Sequence, residues 1–179
     1  MARTLVINLF GEPDAGKSRT AAYLFSALKA KGYKCELVME VAKDLFYEES
    51  PKINFQLAVT AEQAWRVERL IGKVDIIITD SPVFLSAVYN KDNWTDDCFD
   101  RLVLDLHYRH KRLNVFIERK HEYSQNGRWH TEDEAAEINA LLKAAFIKHG
   151  IRMDLTIGSD MPEEDERKLL ELISERVNL

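Results

Sequence analysis

Eight consecutive residues near the start of the chain, Gly11-Glu12-Pro13-Asp14-Ala15-Gly16-Lys17-Ser18, satisfy the pattern G-x-x-x-x-G-K-[ST]. The chemistry of this pattern is anion binding. Its glycines let the backbone turn tightly and come close to phosphate oxygens. Backbone N–H groups and the start of a following helix then hold the anion. Lys17 is placed to reach the outer phosphates of a nucleoside triphosphate, and Ser18 to offer its hydroxyl to Mg²⁺. Arg19 extends the nucleotide-binding run. Two members of the loop, Glu12 and Asp14, are carboxylates where an anion must bind. Either they turn away from the ligand or they weaken its binding. Asp14 suits a left-handed backbone position that many such loops fill with glycine.

Three further groups fit the same chemistry. Ile76-Ile77-Ile78-Thr79-Asp80 is an apolar run ending in aspartate, and Asp80 is expected to hold Mg²⁺ directly or through water. Glu40 follows a second apolar run and suits a general base for an acceptor hydroxyl, or else a helix-start glutamate favoured by the dipole. Gln63 and Arg66 are three apart on one helical face, where they could read an acceptor's polar edge and charge or simply meet solvent. Between residues 119 and 131 lies a polar, glycine-containing stretch that reads as a lid. Arg119 and Arg128 are its candidates for stabilising charge on a transferred phosphoryl group.

The elements that must position these groups alternate. Residues 4–10, 34–39, 75–79, 114–118 and 153–157 read as short, nearly continuous apolar strands. Helical patterns occupy 18–31, 40–46, 54–71, 97–110, 131–148 and 163–177. The fifth of these opens on Thr131 with Glu134 three residues on, a capping box. Strands separated by helices imply parallel pairing through right-handed crossovers, with the sheet covered on both faces. The expected fold is therefore three-layer α/β/α around a five-stranded parallel sheet, one domain over residues 1–179. Ligands in such folds bind at the carboxyl ends of the strands, where every group named above lies.

Composition narrows the reading further. The 179 residues are 46% hydrophobic and 31% charged, with a net charge of −5. That balance lacks the global basic field of a nucleic-acid binder and leaves only the local cluster Arg109 to Arg112. Cys35 and Cys98 fit no zinc spacing, and His107 with His110 has no evident metal partner. No apolar run approaches the ~18 residues of a membrane span. A cytoplasmic protein, or one in a host's cytoplasm if phage-encoded, is expected.

The P-loop, Glu40-Val41-Ala42-Lys43, the Gln63-to-Arg66 segment, Ile77-Thr79-Asp80-Ser81-Pro82 and the Arg119…Tyr123…Gly127-Arg128 stretch occur in this order. The set resembles the P-loop nucleoside and nucleotide kinase-like proteins, especially the AAA_28 (NadR-like) kinase domains often seen in bacteriophage genomes. The resemblance runs over roughly residues 3 to 158. It implies ATP as phosphoryl donor and Mg²⁺ as cofactor. It also implies a small nucleoside-like acceptor and Glu40 at the position of the base. Deoxynucleoside kinases carry an acidic-Arg-Ser motif where this chain has Asp80-Ser81-Pro82, so it departs from them in lacking the arginine. The resulting expectation is an ATP-dependent kinase acting on a nucleoside, nucleotide or hydroxymethylated base. Two alternatives stand beside it: a 5-hydroxymethyluracil DNA kinase, and a partner-dependent P-loop ATPase or switch. No guanine-reading N-K-x-D motif is present.

Overall fold

The computed structural model describes residues 4–90, 92, 94, 96–124 and 131–178. Five strands form one all-parallel sheet: β1 (Leu5–Phe10), β2 (Cys35–Val38), β3 (Ile76–Thr79), β4 (Arg112–Glu118) and β5 (Leu155–Gly158), in the order β2-β3-β1-β4-β5. The expected α/β architecture is therefore present. β1 sits at the centre, and all six of its residues are buried. Its register against β4 pairs Asn8 with Asn114. The Asn8 side chain donates to Asn114 Oδ1 at 3.0 Å, so two amides that would be costly alone satisfy each other inside the sheet.

The helices are α1 (Lys17–Ala30), α2 (Val41–Tyr47), α3 (Gln56–Glu68), α4 (Leu85–Tyr89), α5 (Cys98–Tyr108), α6 (Glu132–His149) and α7 (Glu163–Asn178). On one face of the sheet, Leu24 and Leu28 of α1 pack with Leu169 and Ile173 of α7. On the other, Phe84, Phe99, Val103, Leu142 and Phe146 close over Phe10. Burying each such side chain contributes roughly 1.5–3 kcal/mol, which is what holds the layers together. Thr131 caps α6 as its spacing suggests, accepting from Glu134 N at 3.3 Å while Glu134 Oε2 accepts from Thr131 N at 2.7 Å. Two elements differ from the sequence reading. The helical pattern over residues 54–71 begins only at Gln56, after a 3-10 turn over Pro51–Asn54, because proline at the start of that turn favours a separate turn. The five-residue α4 was not anticipated. No helix among the described residues is long and apolar enough to cross a membrane.

Candidate active site

The carboxyl ends of β1, β2 and β3 converge on a cleft of 790 Å³. The loop after β1 enters it with three residues at positive φ. Gly11 has φ +151°, and a Cβ there would stand 2.8 Å from the Ile117 carbonyl oxygen. Only glycine fits so close to β4. Gly16, with φ +80°, caps α1 and turns its first N–H groups toward the cleft. Asp14 does adopt the left-handed position, at φ +68°.

The two loop carboxylates face protein. Glu12 Oε1 meets the Arg119 Nε at 3.3 Å, and Asp14 Oδ2 accepts from the Ser124 backbone N–H at 2.7 Å. His121 Nδ1 lies 3.8 Å from the same Asp14 oxygen. The segment after β4 is thus fastened to the back of the phosphate loop. Lys17 donates to the carbonyl oxygens of Gly11 and Glu12, both at 2.9 Å. Arg19 donates to the Ser159 carbonyl.

Ser18 Oγ donates to Asp80 Oδ2 at 2.6 Å. Asp80 is 3% exposed, and its Oδ1 is buried with no hydrogen-bond partner. Burial pushes its carboxyl above the usual carboxylate range, against the Ser18 hydrogen bond and the charge of Lys17. An orphaned, buried carboxylate oxygen beside a hydroxyl is a donor set that fits a hard divalent cation or a water bound to one. No cluster of three or more His, Cys, Asp or Glu side chains with metal-binding geometry occurs among the described residues, so any such cation would draw its remaining ligands from phosphate and water.

Glu40 lines the cleft at the start of α2, in an extended conformation at φ −61°, ψ 123°. Burial raises its carboxyl above the usual range; Lys17 opposes this and the charge of Asp80 adds to it. Its flanking backbone is clamped from α3. Gln63, 4% exposed, accepts from Val41 N at 2.9 Å and donates to the Met39 carbonyl at 3.4 Å. Arg66 donates to the same carbonyl at 3.4 Å and pairs with Asp44 at 2.8 Å. Both side chains therefore spend their polar groups on the strand-to-helix turn that carries Glu40. Gln63 lines the cleft, whereas Arg66 does not.

Residues 6–159 match the AAA_28 family, described as an AAA domain. The chain belongs to that family. No curated protein matches it. Among solved structures, this AAA domain superimposes on a deoxyadenosine kinase from M. mycoides with bound dATP, at 17% identity and TM-score 0.58, over 97% of this chain and 100% of that one. The same enzyme with products dCMP and a flexible dCDP gives 15% identity and TM-score 0.54, over 97% and 98%. The crystal structure of APE1195 gives 17% and 0.57, over 99% and 98%. At these identities the likeness concerns the fold.

Of the residues singled out from sequence, Lys17, Ser18, Glu40, Gln63 and Asp80 line one cleft. Arg119 lies outside its lining, held by Glu12 and by Glu132 at 3.9 Å and set over the Tyr123 ring at 5.2 Å; its Nη1 is buried and unpartnered. Arg128 falls outside the described residues. Among the further members of the cleft to which sequence reasoning gave no role are Lys43 and Tyr89. Lys43 could have been found from its i, i+3 spacing to Glu40. Tyr89 sits on the unanticipated α4, and burial, with the nearby Glu40 charge, pushes its phenol above the usual tyrosine value.

Proposed function

We propose that this AAA domain is a kinase that transfers the γ-phosphoryl group of ATP to a hydroxyl of a nucleoside-class acceptor. The observation that carries the reading is the pair Glu40 and Asp80. Two carboxylates, Asp80 buried and Glu40 half-buried, stand at adjacent strand ends of one cleft, across from the phosphate loop, and both are shifted toward higher pKa. With Asp80 beside Ser18 suited to a cation, Glu40 is left as the base for an attacking hydroxyl, and a cleft of 790 Å³ has room for an acceptor that bears one.

In this reading residues 11–19 cradle the triphosphate, with Lys17 leaving the Gly11 and Glu12 carbonyls for the β/γ-phosphates. Ser18 and Asp80 would hold Mg²⁺, which would supply positive charge to the triphosphate. Glu40 accepts the proton of the acceptor hydroxyl as its oxygen bonds to the γ-phosphorus. The bond to the bridging oxygen breaks, and its electron pair leaves with ADP. The raised pKa of Glu40 makes it a stronger base than an exposed carboxylate. Gln63 and Arg66 act through the backbone on either side of Glu40. Arg119 offsets the charge of Glu12 in the phosphate loop.

The test is transfer of radiolabelled γ-phosphate from Mg²⁺-ATP. The acceptor panel holds nucleosides, nucleoside monophosphates, nicotinamide riboside, and DNA with and without 5-hydroxymethyluracil. Label on one acceptor, lost in Glu40→Gln, is the expected result. Label released only as free phosphate across the panel would replace the kinase reading with a partner-dependent ATPase.

A further inference from the structure

One cation in the cleft, Lys43, has no part in the steps above. Lys43 lies on α2 one turn after Glu40, so the two side chains leave the same helix face. It is half-buried and lines the cleft with Glu40 and Asp80. The other described cations around the phosphate loop and the β2–α2 turn are held. Lys17 rests on two carbonyls, Arg19 on Ser159, Arg66 on Asp44 and Arg119 on Glu12. Lys43 makes no hydrogen bond or ion pair with any described residue. Its charge nonetheless reaches both carboxylates and lowers the pKa of each.

A long side chain held in a cleft loses rotamer freedom and hydration, and here no ion pair offsets that cost. The arrangement makes sense when an anion arrives. Two anions come to this cleft in the kinase reading: the phosphoryl group in transit, and any phosphate borne by the acceptor. Lys43 shares the cleft with Asp80, the carboxylate bonded to Ser18 at the donor end, as well as with Glu40 at the acceptor end. Its ammonium is thus in the one cleft through which the phosphoryl group passes in the kinase reading.

Resting on the kinase reading, we propose that Lys43 is a catalytic residue whose ammonium binds the equatorial oxygens of the phosphoryl group as it passes from ATP to the acceptor hydroxyl. The acceptor oxygen–phosphorus bond forms and the bond to the bridging oxygen breaks with its electron pair going to ADP. The hydroxyl proton goes to Glu40, and Lys43 keeps all its protons. Its contribution is electrostatic and grows as charge spreads over the three equatorial oxygens.

The test separates ground state from transfer state. Calorimetry would compare wild type, Lys43→Met and Lys43→Arg with Mg²⁺-ADP alone, and with Mg²⁺-ADP plus fluoroaluminate, which mimics the phosphoryl group in transit. The Met variant is expected to bind ADP within about twofold of wild type and to lose on the order of 100-fold toward the fluoroaluminate complex. The Arg variant should recover at least about a tenth of the lost affinity. Unchanged fluoroaluminate binding in Lys43→Met, or the same loss with both ligands, overturns the proposal. A wild type that binds neither ligand overturns the kinase reading along with it. In the transfer assay, kcat should fall by a comparable factor with the acceptor KM unchanged. A raised acceptor KM at unchanged kcat would assign Lys43 to a phosphate on the acceptor and overturn the role proposed here.

Discussion

On the proposed donor side of the cleft, the groups assigned to phosphate come from one unbroken stretch. Gly11 and Gly16 shape the loop, Lys17 rests on the loop's own carbonyls, and Ser18 reaches Asp80 across one strand spacing. On the acceptor side, Glu40 is held at one remove. Its flanking backbone is fixed by Gln63 and Arg66 from a helix that begins well after it, and the wall beyond it is the short α4. The donor side is a local motif, whereas the acceptor side is a tertiary construction. A local motif fails all at once when its one charged tip is removed. A tertiary construction should fail by degrees, as supports are taken away from a base that remains in place.

The largest expected effect breaks the donor side. Lys17→Ala should lower phosphoryl transfer by at least about 10³-fold, because the loop loses the ammonium assigned to the β/γ-phosphates of the bound nucleotide. Circular dichroism and thermal midpoint should stay close to wild type, since the Lys17 ammonium donates to loop carbonyls and lies outside the hydrophobic core. Transfer retained by a folded Lys17→Ala protein would contradict the assignment of the loop.

Next comes Glu40→Gln on the acceptor side. Transfer should drop by about 10²- to 10³-fold, the usual worth of a positioned base. Nucleotide affinity should be untouched, and that contrast with Lys17→Ala separates the two halves. The acid limb of the kcat profile should disappear with the carboxylate. Because the folded protein raises the Glu40 pKa, ionising it costs stability that is present below the unfolded value and lost as pH rises through the folded one. Glu40→Gln should therefore melt at a higher temperature than wild type at neutral pH and at an equal or lower one in acid. An unchanged melting difference across that range would mean that Glu40 is not strained by burial.

A smaller effect probes the clamp. Gln63→Met keeps the bulk of the side chain while leaving the Val41 N–H and the Met39 carbonyl without the Gln63 amide. The unmet N–H should cost roughly 1–3 kcal/mol of stability by urea denaturation. Displacing Glu40 should lower kcat about tenfold with the ATP KM unchanged. Gln63→Glu still accepts from Val41 N and should restore part of the stability. If Gln63 instead bound the acceptor directly, the acceptor KM would rise and the stability would not move.

The same contrast governs what could be read from the chain before its structure. The phosphate loop was legible because its residues are contiguous and their roles are backbone geometry and charge. Glu40 and Asp80 were legible as carboxylates at strand ends, since parallel strands put their carboxyl ends on one rim. The destination of Glu12 was not legible, because its partner Arg119 lies on another strand's end, far along the chain. Nor was the work of Gln63 and Arg66. A helix-face pair looks the same whether it points at ligand, at solvent or at a neighbouring backbone, and only packing decides. The α4 segment was missed for a simpler reason: five residues between Pro82 and Asn90 are too few to show a helical period.

The smallest expected effect on activity sharpens the comparison from outside the cleft. His107 is 4% exposed on α5, packed edge-on against Phe10 with ring centroids 6.2 Å apart, and its Nε2 has no partner. Burial, aided by the charge of Arg112, lowers its pKa from the ordinary value to about 4. The small cavity it lines also presents Glu68, His110 and Arg112. Here the direction is opposite to that of Glu40. The unfolded chain binds the proton first, so stability is complete above about pH 6.5 and is lost as pH falls toward 4. At pH 5 the loss should be about 2 kcal/mol relative to pH 7.5, measured by urea denaturation against His107→Leu, which has nothing to titrate. Transfer at pH 7.5 should be the same in both proteins, since His107 faces away from the cleft into the aromatic cluster around Phe84. A His107→Leu protein as acid-sensitive as wild type would move the acid sensitivity elsewhere. Lost transfer in a stable His107→Leu protein would mean that the aromatic core behind β1 helps to shape the phosphate loop.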